Sequence, residues 1–421
     1  MSLRAMVKST GAARLVRSHV ARLAVGPADV ASSGCKFPLM PSRHVALFTS
    51  VSGATHWRRF GALLEQHGFT VHNVHVVRAE DYRRTTGRLP RLLLRLRLYV
   101  EYCFTVAWFM RVGPGRTTSV NIVTTNPFFM PWFVNVLSRQ PQRTNICLLW
   151  DLYPEALIAS GMVKAGSLRA RCVAAITRRA LLDSGATVIL GTGMRDYVQS
   201  LYPSVRRPTV IPVGADGSAF KRDPLPRWER GQPLTILYSG AMGHMHEIDT
   251  LVRYFQGPLP GAVRFRFHST GVGYERLKAA IGSLPAVTTG QVTLAGTLDD
   301  ADWTHEMLNA HIGLVTMAPG AERVVMPSKT YSAMAAGQAI LAVCPPDADL
   351  AGVITKHDCG WVIPPDDVEG LARVIDQIGL DAPRLHVKRM RAYEAGQGPY
   401  ETETVIEAWH ELFRAMEHSA P

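Results

Sequence analysis

Disulfide pairing is absent from the pattern of this 421-residue chain: its six cysteines (35, 103, 147, 172, 344 and 359) are scattered, without a C-x-x-C pair. Several lie inside apolar segments, so they read as reduced core thiols of a cytosolic protein rather than as a disulfide or zinc framework. No G-x-G-x-x-G follows the first strand, which argues against a nicotinamide or flavin site. No apolar run is long enough to cross a bilayer, and the most apolar stretch, Leu98–Met110, is interrupted by Glu101. Internal repeats, low-complexity tracts and paired-histidine helices are also missing. No Asp-x-Asp stands where a metal-dependent sugar transferase would need it; Asp347-Ala-Asp349 lies in a loop after a buried strand, the wrong context.

Acidic residues are scarce at one end only. Residues 1–113 hold five Asp/Glu against 17 Lys/Arg, whereas the rest of the chain holds 29 of each, so the net charge of +12 sits in the first quarter. Such a region is attracted to nucleic acid or to an anionic membrane surface. No nucleic-acid module is visible, which favours the membrane. Residues 1–43 are rich in Ala, Ser, Val and Arg and read as a basic extension, with Met40 a reasonable alternative start.

What is present is a repeated strand–loop–helix rhythm in a chain long enough for two cores. His44–Val51 is a buried strand; Ser52-Gly-Ala-Thr-His-Trp57 is a polar turn with a glycine; a helix and a second strand, Thr70–Val77, follow. Arg88, Arg91, Arg95 and Arg97 then precede an apolar stretch with Trp108 near its end. A basic helix of this kind either lies in a membrane interface or turns its apolar side to the core and leaves its arginines in water. Asp151-Leu-Tyr-Pro-Glu155 stands at the carboxyl end of a further strand, where open α/β sheets bind ligands. Its carboxylates either serve a ligand or cap and complement the next helix. Residues 44–220 form one unit, and the proline-rich, charged stretch 221–233 reads as a linker.

The second unit, 234–399, restarts with Leu234–Gly240, a loop carrying Gly243, His244 and His246, and later Thr270-Gly271-Val-Gly273. It culminates in Val325-Met-Pro-Ser-Lys-Thr-Tyr-Ser-Ala-Met-Ala-Ala-Gly, followed by the buried strand Ala339–Val343. Pro327 and Ser328 are helix-start residues, and Ser328 is expected to cap. Lys329 in the first turn opposes the helix dipole, so it is either a solvated surface lysine or partner to a bound anion. Residues 400–421 form a terminal amphipathic helix.

This last wording, with Asp151-Leu-x-Pro-Glu155, resembles glycosyltransferase family 4, in particular a Pro-Ser-Lys subgroup that builds bacterial surface polysaccharides. The resemblance covers roughly residues 44–377. It implies an α/β GT-B fold, two Rossmann-like domains facing across a cleft, with the terminal helix crossing back onto the first. It implies sugar transfer from a nucleotide diphosphate sugar to an acceptor hydroxyl, with retention of configuration and no metal or cofactor. The family's acceptors are often lipid-linked, so a cytoplasmic, membrane-peripheral enzyme is expected.

On this reading Lys329, Asp151 and His244 are catalytic. Ser239, Gly240, Gly243, His246, Gly271, Gly273, Glu322, Pro327, Ser328 and Ser332 face the donor. Ser52, Gly53, His56, Trp57 and Glu155 lie on the acceptor side, and Arg88, Arg91, Arg95, Arg97 and Trp108 meet the membrane. Many family members carry a glutamate where Ser332 stands, which typically holds the nucleotide ribose. A nucleotide-sugar 2-epimerase and a non-catalytic scaffold of the same architecture are the alternatives.

Overall fold

The computed structural model describes residues 43–52, 55–78, 81, 85, 88–138 and 144–418. Residues 1–42 of the basic extension and Gly53 lie outside these, as do the side chains of His56, Arg88 and Arg91; Arg43 already belongs to the first strand.

Twelve strands form two six-stranded, wholly parallel sheets. The first contains β1 (Arg43–Phe48), β2 (Phe69–Val74), β3 (Val120–Thr124), β4 (Thr144–Leu149), β5 (Ala186–Ile189) and β6 (Thr209–Val210), in the order β2-β1-β3-β4-β5-β6. The second contains β7 (Leu234–Ala241), β8 (Val263–Thr270), β9 (Val292–Ala295), β10 (Ile312–Thr316), β11 (Ala339–Val343) and β12 (Gly360–Ile363), in the order β12-β11-β10-β7-β8-β9. Helices cover both faces, so central strands such as β3, β10 and β11 are buried along their whole length. That is why the sequence shows continuous apolar runs there instead of alternation. In each sheet the strand order reverses beside the first strand, at β1/β3 and β7/β10, which puts a crevice at the carboxyl ends of these strands. The expected pair of Rossmann-like α/β domains is the architecture observed.

Three connections fix the two halves together. The proline-rich stretch is packed rather than loose: Trp228 is buried, and Arg389 donates to the carbonyls of Pro226 (2.7 Å) and Gly337 (2.9 Å). Gly337, at φ +73°, ends the Lys329–Ala335 helix in a left-handed turn pressed against Leu225. The terminal helix, Thr402–His418, sets Trp409 against Phe60 (ring centroids 5.4 Å apart) and Phe413 against Phe69 (5.7 Å), on the first sheet's side. Finally, Asp349, which opens the helix Asp349–His357, accepts from the amides of Gly193 (2.8 Å) and Met194 (3.0 Å) at the start of Thr192–Leu201. The residue before that helix, Gly191, has no side chain to cap it, so the cap comes from the other domain.

The Arg88–Arg111 segment is helical throughout, with a π-turn at Arg97–Glu101. Its second half buries Tyr102, Val106, Phe109 and Met110 against β1, β2 and β3. Its first half turns Leu89, Leu92, Leu93 and Leu96 outward, and Phe104 beyond the π-turn is 73% exposed. Trp108 departs from the expected membrane contact. It packs toward the core and against the Gly113 turn, because the buried stripe of the second half draws it inward. Arg97 is tied to Glu101 (2.8 Å) and to the Val76 carbonyl (2.9 Å) rather than left to a headgroup.

Candidate functional site

The crevice between the sheets is one cleft of about 1780 Å³, walled by both domains. Lys329 and Asp151, from motifs far apart in sequence, both line it.

Lys329 begins its helix, yet its head does not point into solvent. Nζ donates to the Ala241 carbonyl at 2.9 Å, meets the Tyr238 hydroxyl in a short contact, and lies 3.1 Å from His246 Nε2 and 4.1 Å from the Tyr238 ring centroid. Burial of the amine pulls its pKa down to about 7. Tyr238 is fully buried within β7, and its hydroxyl donates to the Ala241 carbonyl (3.1 Å), which fixes the oxygen beside the lysine. Burial, and then the neighbouring Lys329 charge, lower the His246 pKa to about 3.

The glycines shape the loop these groups share. Gly240 has φ +119°, a conformation open to glycine, and turns the chain out of β7 beside the Lys329 stem. Gly243 faces open cleft. Gly271 (φ +108°) and Gly273 seat the loop from below, since a Cβ at either would lie within 3 Å of the Met242 carbonyl oxygen. Gly273 therefore supports the loop and does not line the cleft, contrary to the donor-facing expectation. Pro327, Ser328, Ser332, Ser239 and the exposed His244 do line it. Ser239 accepts from Trp303 Nε1 (3.0 Å). Ser328 caps nothing: its own backbone is helical (φ −61°, ψ −25°), so its hydroxyl cannot fold back on the following amides. Glu322 is outside the cleft lining; its carboxylate accepts from the Gly320 amide (2.6 Å) and holds the loop before the lysine helix.

On the opposite wall, Asp151 is held by a short bridge to Val325, with the Leu152 amide donating to the Val324 carbonyl (3.1 Å). Burial raises the Asp151 pKa to about 6. It does not cap the following helix, whose N-cap is Pro154. Ser52 lines the cleft, but two neighbours in sequence do not. Trp57 is a core residue, stacked on Phe60 (5.0 Å) and edge-on to Trp150 (6.1 Å). Glu155 opens the helix Glu155–Ala159 behind the wall, with one carboxylate oxygen buried and unpartnered and its pKa raised by burial. Trp303, which lines the cleft, and Tyr238, buried behind Lys329, are site residues that sequence reasoning missed; an aromatic within an apolar strand or helix reads as packing. Among the described residues no cluster of three or more His, Cys, Asp or Glu could hold a metal ion, and no helix is long and apolar enough to cross a membrane.

No protein-family model matches the chain. It is 24% identical over 312 residues to the probable glycosyltransferase WbjE of Pseudomonas aeruginosa, covering 71% of this chain and 75% of that protein. Its structure is similar to the sucrose-phosphate synthase of Thermosynechococcus elongatus, with a TM-score of 0.67 and 16% identity over 90% of this chain and all of the other. It is also similar to Anabaena HepE in complex with UDP, with a TM-score of 0.61 and 12% identity over 89% of this chain and all of the other. Together with the two parallel sheets, these likenesses establish the GT-B architecture: two Rossmann-like domains facing across a cleft.

Proposed function

We propose that the protein is a glycosyltransferase that moves a sugar from a nucleotide diphosphate sugar to an acceptor hydroxyl, retaining configuration and without a metal. The observation that carries this reading is Lys329, a buried amine held at the carboxyl end of β7 beside the Gly240–Gly243 loop. When the bond between the sugar and the diphosphate breaks, the leaving oxygen gains negative charge. A fixed cation and loop amides preorganised around it stabilise that charge, the kind of contribution that is usually the largest in such catalysis. The acceptor hydroxyl attacks on the face the diphosphate leaves, and its proton passes to the departing phosphate oxygen. Asp151, across the cleft, orients the acceptor. The likeness to WbjE and to a protein that binds UDP supports a nucleotide-sugar donor.

The acceptor on this reading is lipid-linked and belongs to surface polysaccharide synthesis, with the protein on the cytoplasmic membrane face. The outward leucines of Arg88–Leu96 and the exposed Phe104 give an apolar surface next to a basic segment, which suits an anionic bilayer. Incubation with radiolabelled nucleotide sugars and membrane lipid extract tests the reading. Label entering the lipid phase is expected; an epimerised sugar left in the aqueous phase, or no reaction across a full nucleotide-sugar panel, contradicts it.

A further inference from the structure

The stretch of cleft between Lys329 and Asp151 is apolar. Val325 pairs with Asp151 in the short bridge, and Met326 and Pro327 carry the chain on to Ser328 and Lys329. Val325 and Met326 line the cleft, and so do Met245, from the loop after β7, and Met317, at the end of β10. The Ala318 amide donates to the Met245 carbonyl at 2.9 Å, which ties these last two segments together. Met245 and Val325 both pack against the apolar cluster that joins the lysine loop to the first domain. A sugar whose diphosphate sits at Lys329, and whose anomeric carbon is reached by an acceptor beside Asp151, lies along this stretch and has these side chains as neighbours.

Polar side chains on this stretch are few. Glu322, the carboxylate nearest in sequence, lies outside the lining and accepts from the Gly320 amide (2.6 Å). Ser239 is turned to Trp303 Nε1 (3.0 Å), and the exposed Ser328 and His244 adjoin Lys329 and the Gly243 loop, at the diphosphate end. Thr316 closes β10 with a buried hydroxyl that has no hydrogen-bond partner, and it lines the cleft. A hydroxyl brought among Met245, Met317, Val325 and Met326 gives up water without a replacement hydrogen bond, which is costly. A methyl there gains by burial, and the unbranched methionine side chains adapt to it. We propose that the donor sugar is a 6-deoxyhexose, its C6 methyl packed among these four apolar side chains and one ring hydroxyl bonded to Thr316. Deoxygenation at C6 suits the pocket because it yields a methyl standing off the ring, whereas loss of a ring hydroxyl leaves only a methylene flush with it. The inference rests on the transfer reading and deepens it, by naming the class of sugar that the nucleotide carries.

Calorimetric titration of the full chain with nucleotide sugars that differ only at C6 tests this. UDP-N-acetylglucosamine is compared with UDP-N-acetylquinovosamine, GDP-mannose with GDP-D-rhamnose, and dTDP-glucose with dTDP-6-deoxyglucose, each beside its own nucleoside diphosphate. Within the pair whose nucleotide the protein binds, the 6-deoxy sugar is expected to bind more tightly by a factor on the order of ten to a hundred. Met245→Gln and Val325→Thr each place a hydrogen-bonding group in the pocket with little change of shape, and each is expected to narrow that preference roughly tenfold. The preference is a ratio taken within one protein, so a general loss of affinity in a variant cancels. Equal or tighter binding of the 6-hydroxy sugar by the parent overturns the proposal, and so does a preference that neither variant moves. Nucleoside diphosphate binding without the 6-deoxy preference removes only the deoxysugar and leaves the transfer reading standing. Failure of every nucleoside diphosphate to bind the parent overturns the transfer reading, and the proposal with it.

Discussion

Lys329 Nζ faces a ring nitrogen of His246 that carries a proton. The Gly243 amide donates to His246 Nδ1 at 3.0 Å, so in the neutral ring the proton lies on Nε2, 3.1 Å from Nζ. An N–H aimed at Nζ suits an amine better than an ammonium ion, in keeping with a lysine whose burial lowers its pKa to about 7. Burial therefore holds the lysine close to the point of neutrality, and an anion arriving beside it raises the pKa and draws in a proton.

This gives a pH dependence with a definite sign. Nucleoside diphosphate affinity is greatest below pH 7, where the free lysine is already protonated, and falls as pH rises through about 7. Lys329→Arg, charged throughout, should lose that fall, while the diphosphate's own ionisation is common to both proteins and cancels. Parallel affinity profiles for parent and Lys329→Arg from pH 6 to 9 would show that the amine does not titrate on binding.

The cap that Asp349 supplies across the domains should be visible in stability. Asp349→Ala leaves the first amides of Thr192–Leu201 without their acceptor, at a cost of about 1–2 kcal/mol. Gly191→Ala should be comparably harmful for a different reason, since its Cβ would lie 2.1 Å from the Asp349 carboxylate. Unchanged denaturation midpoints for both would mean that the contact contributes nothing.

Trp57 separates a packing role from an acceptor role. At 6% exposure and stacked on Phe60, its replacement by alanine should cost roughly 3–5 kcal/mol, and by phenylalanine much less. An alanine variant of parental stability with only a raised acceptor KM would restore the sequence-based assignment.

Membrane docking should depend on the outward apolar face. Leu92→Asp with Phe104→Asp should abolish flotation with anionic vesicles, since these side chains are 62% and 73% exposed and support no core. Reversing Arg95 to glutamate should weaken flotation at low salt more than at high salt. Flotation indifferent to all three changes would remove the bilayer from the account.

The parts of the fold legible in the sequence were those that rest on local pattern. Ala339–Val343 and Thr144–Leu149 announce buried parallel strands because both faces are covered, and Lys329 stands out because a cation at a helix start is locally unfavourable. Side-chain direction was not legible. Glu155 and Glu322 sit beside the right motifs but point behind the wall or into their own loop, and Trp57 lies one turn of chain from the cleft with its ring in the core. Tyr238 reads as an ordinary strand aromatic, and its hydroxyl acquires a role only when Gly240 bends the chain to bring Ala241 and Lys329 around it. The Asp349 cap joins residues more than 150 positions apart, a distance at which sequence pattern carries no signal.

In the proposed reaction Lys329 binds the diphosphate of the nucleotide sugar. This is tested most directly by the affinity of folded Lys329→Ala protein for uridine, guanosine and thymidine diphosphates, compared with the parent at equal salt and pH 6.5. The nucleotide favoured by the parent is expected to bind the variant on the order of 100-fold more weakly, and kcat/KM is expected to fall by a factor of about 100 to 1,000. The variant's thermal stability should be undiminished, because a buried amine has been removed. Equal affinities with activity intact would contradict the account and leave Lys329 a structural contact of the β7 loop.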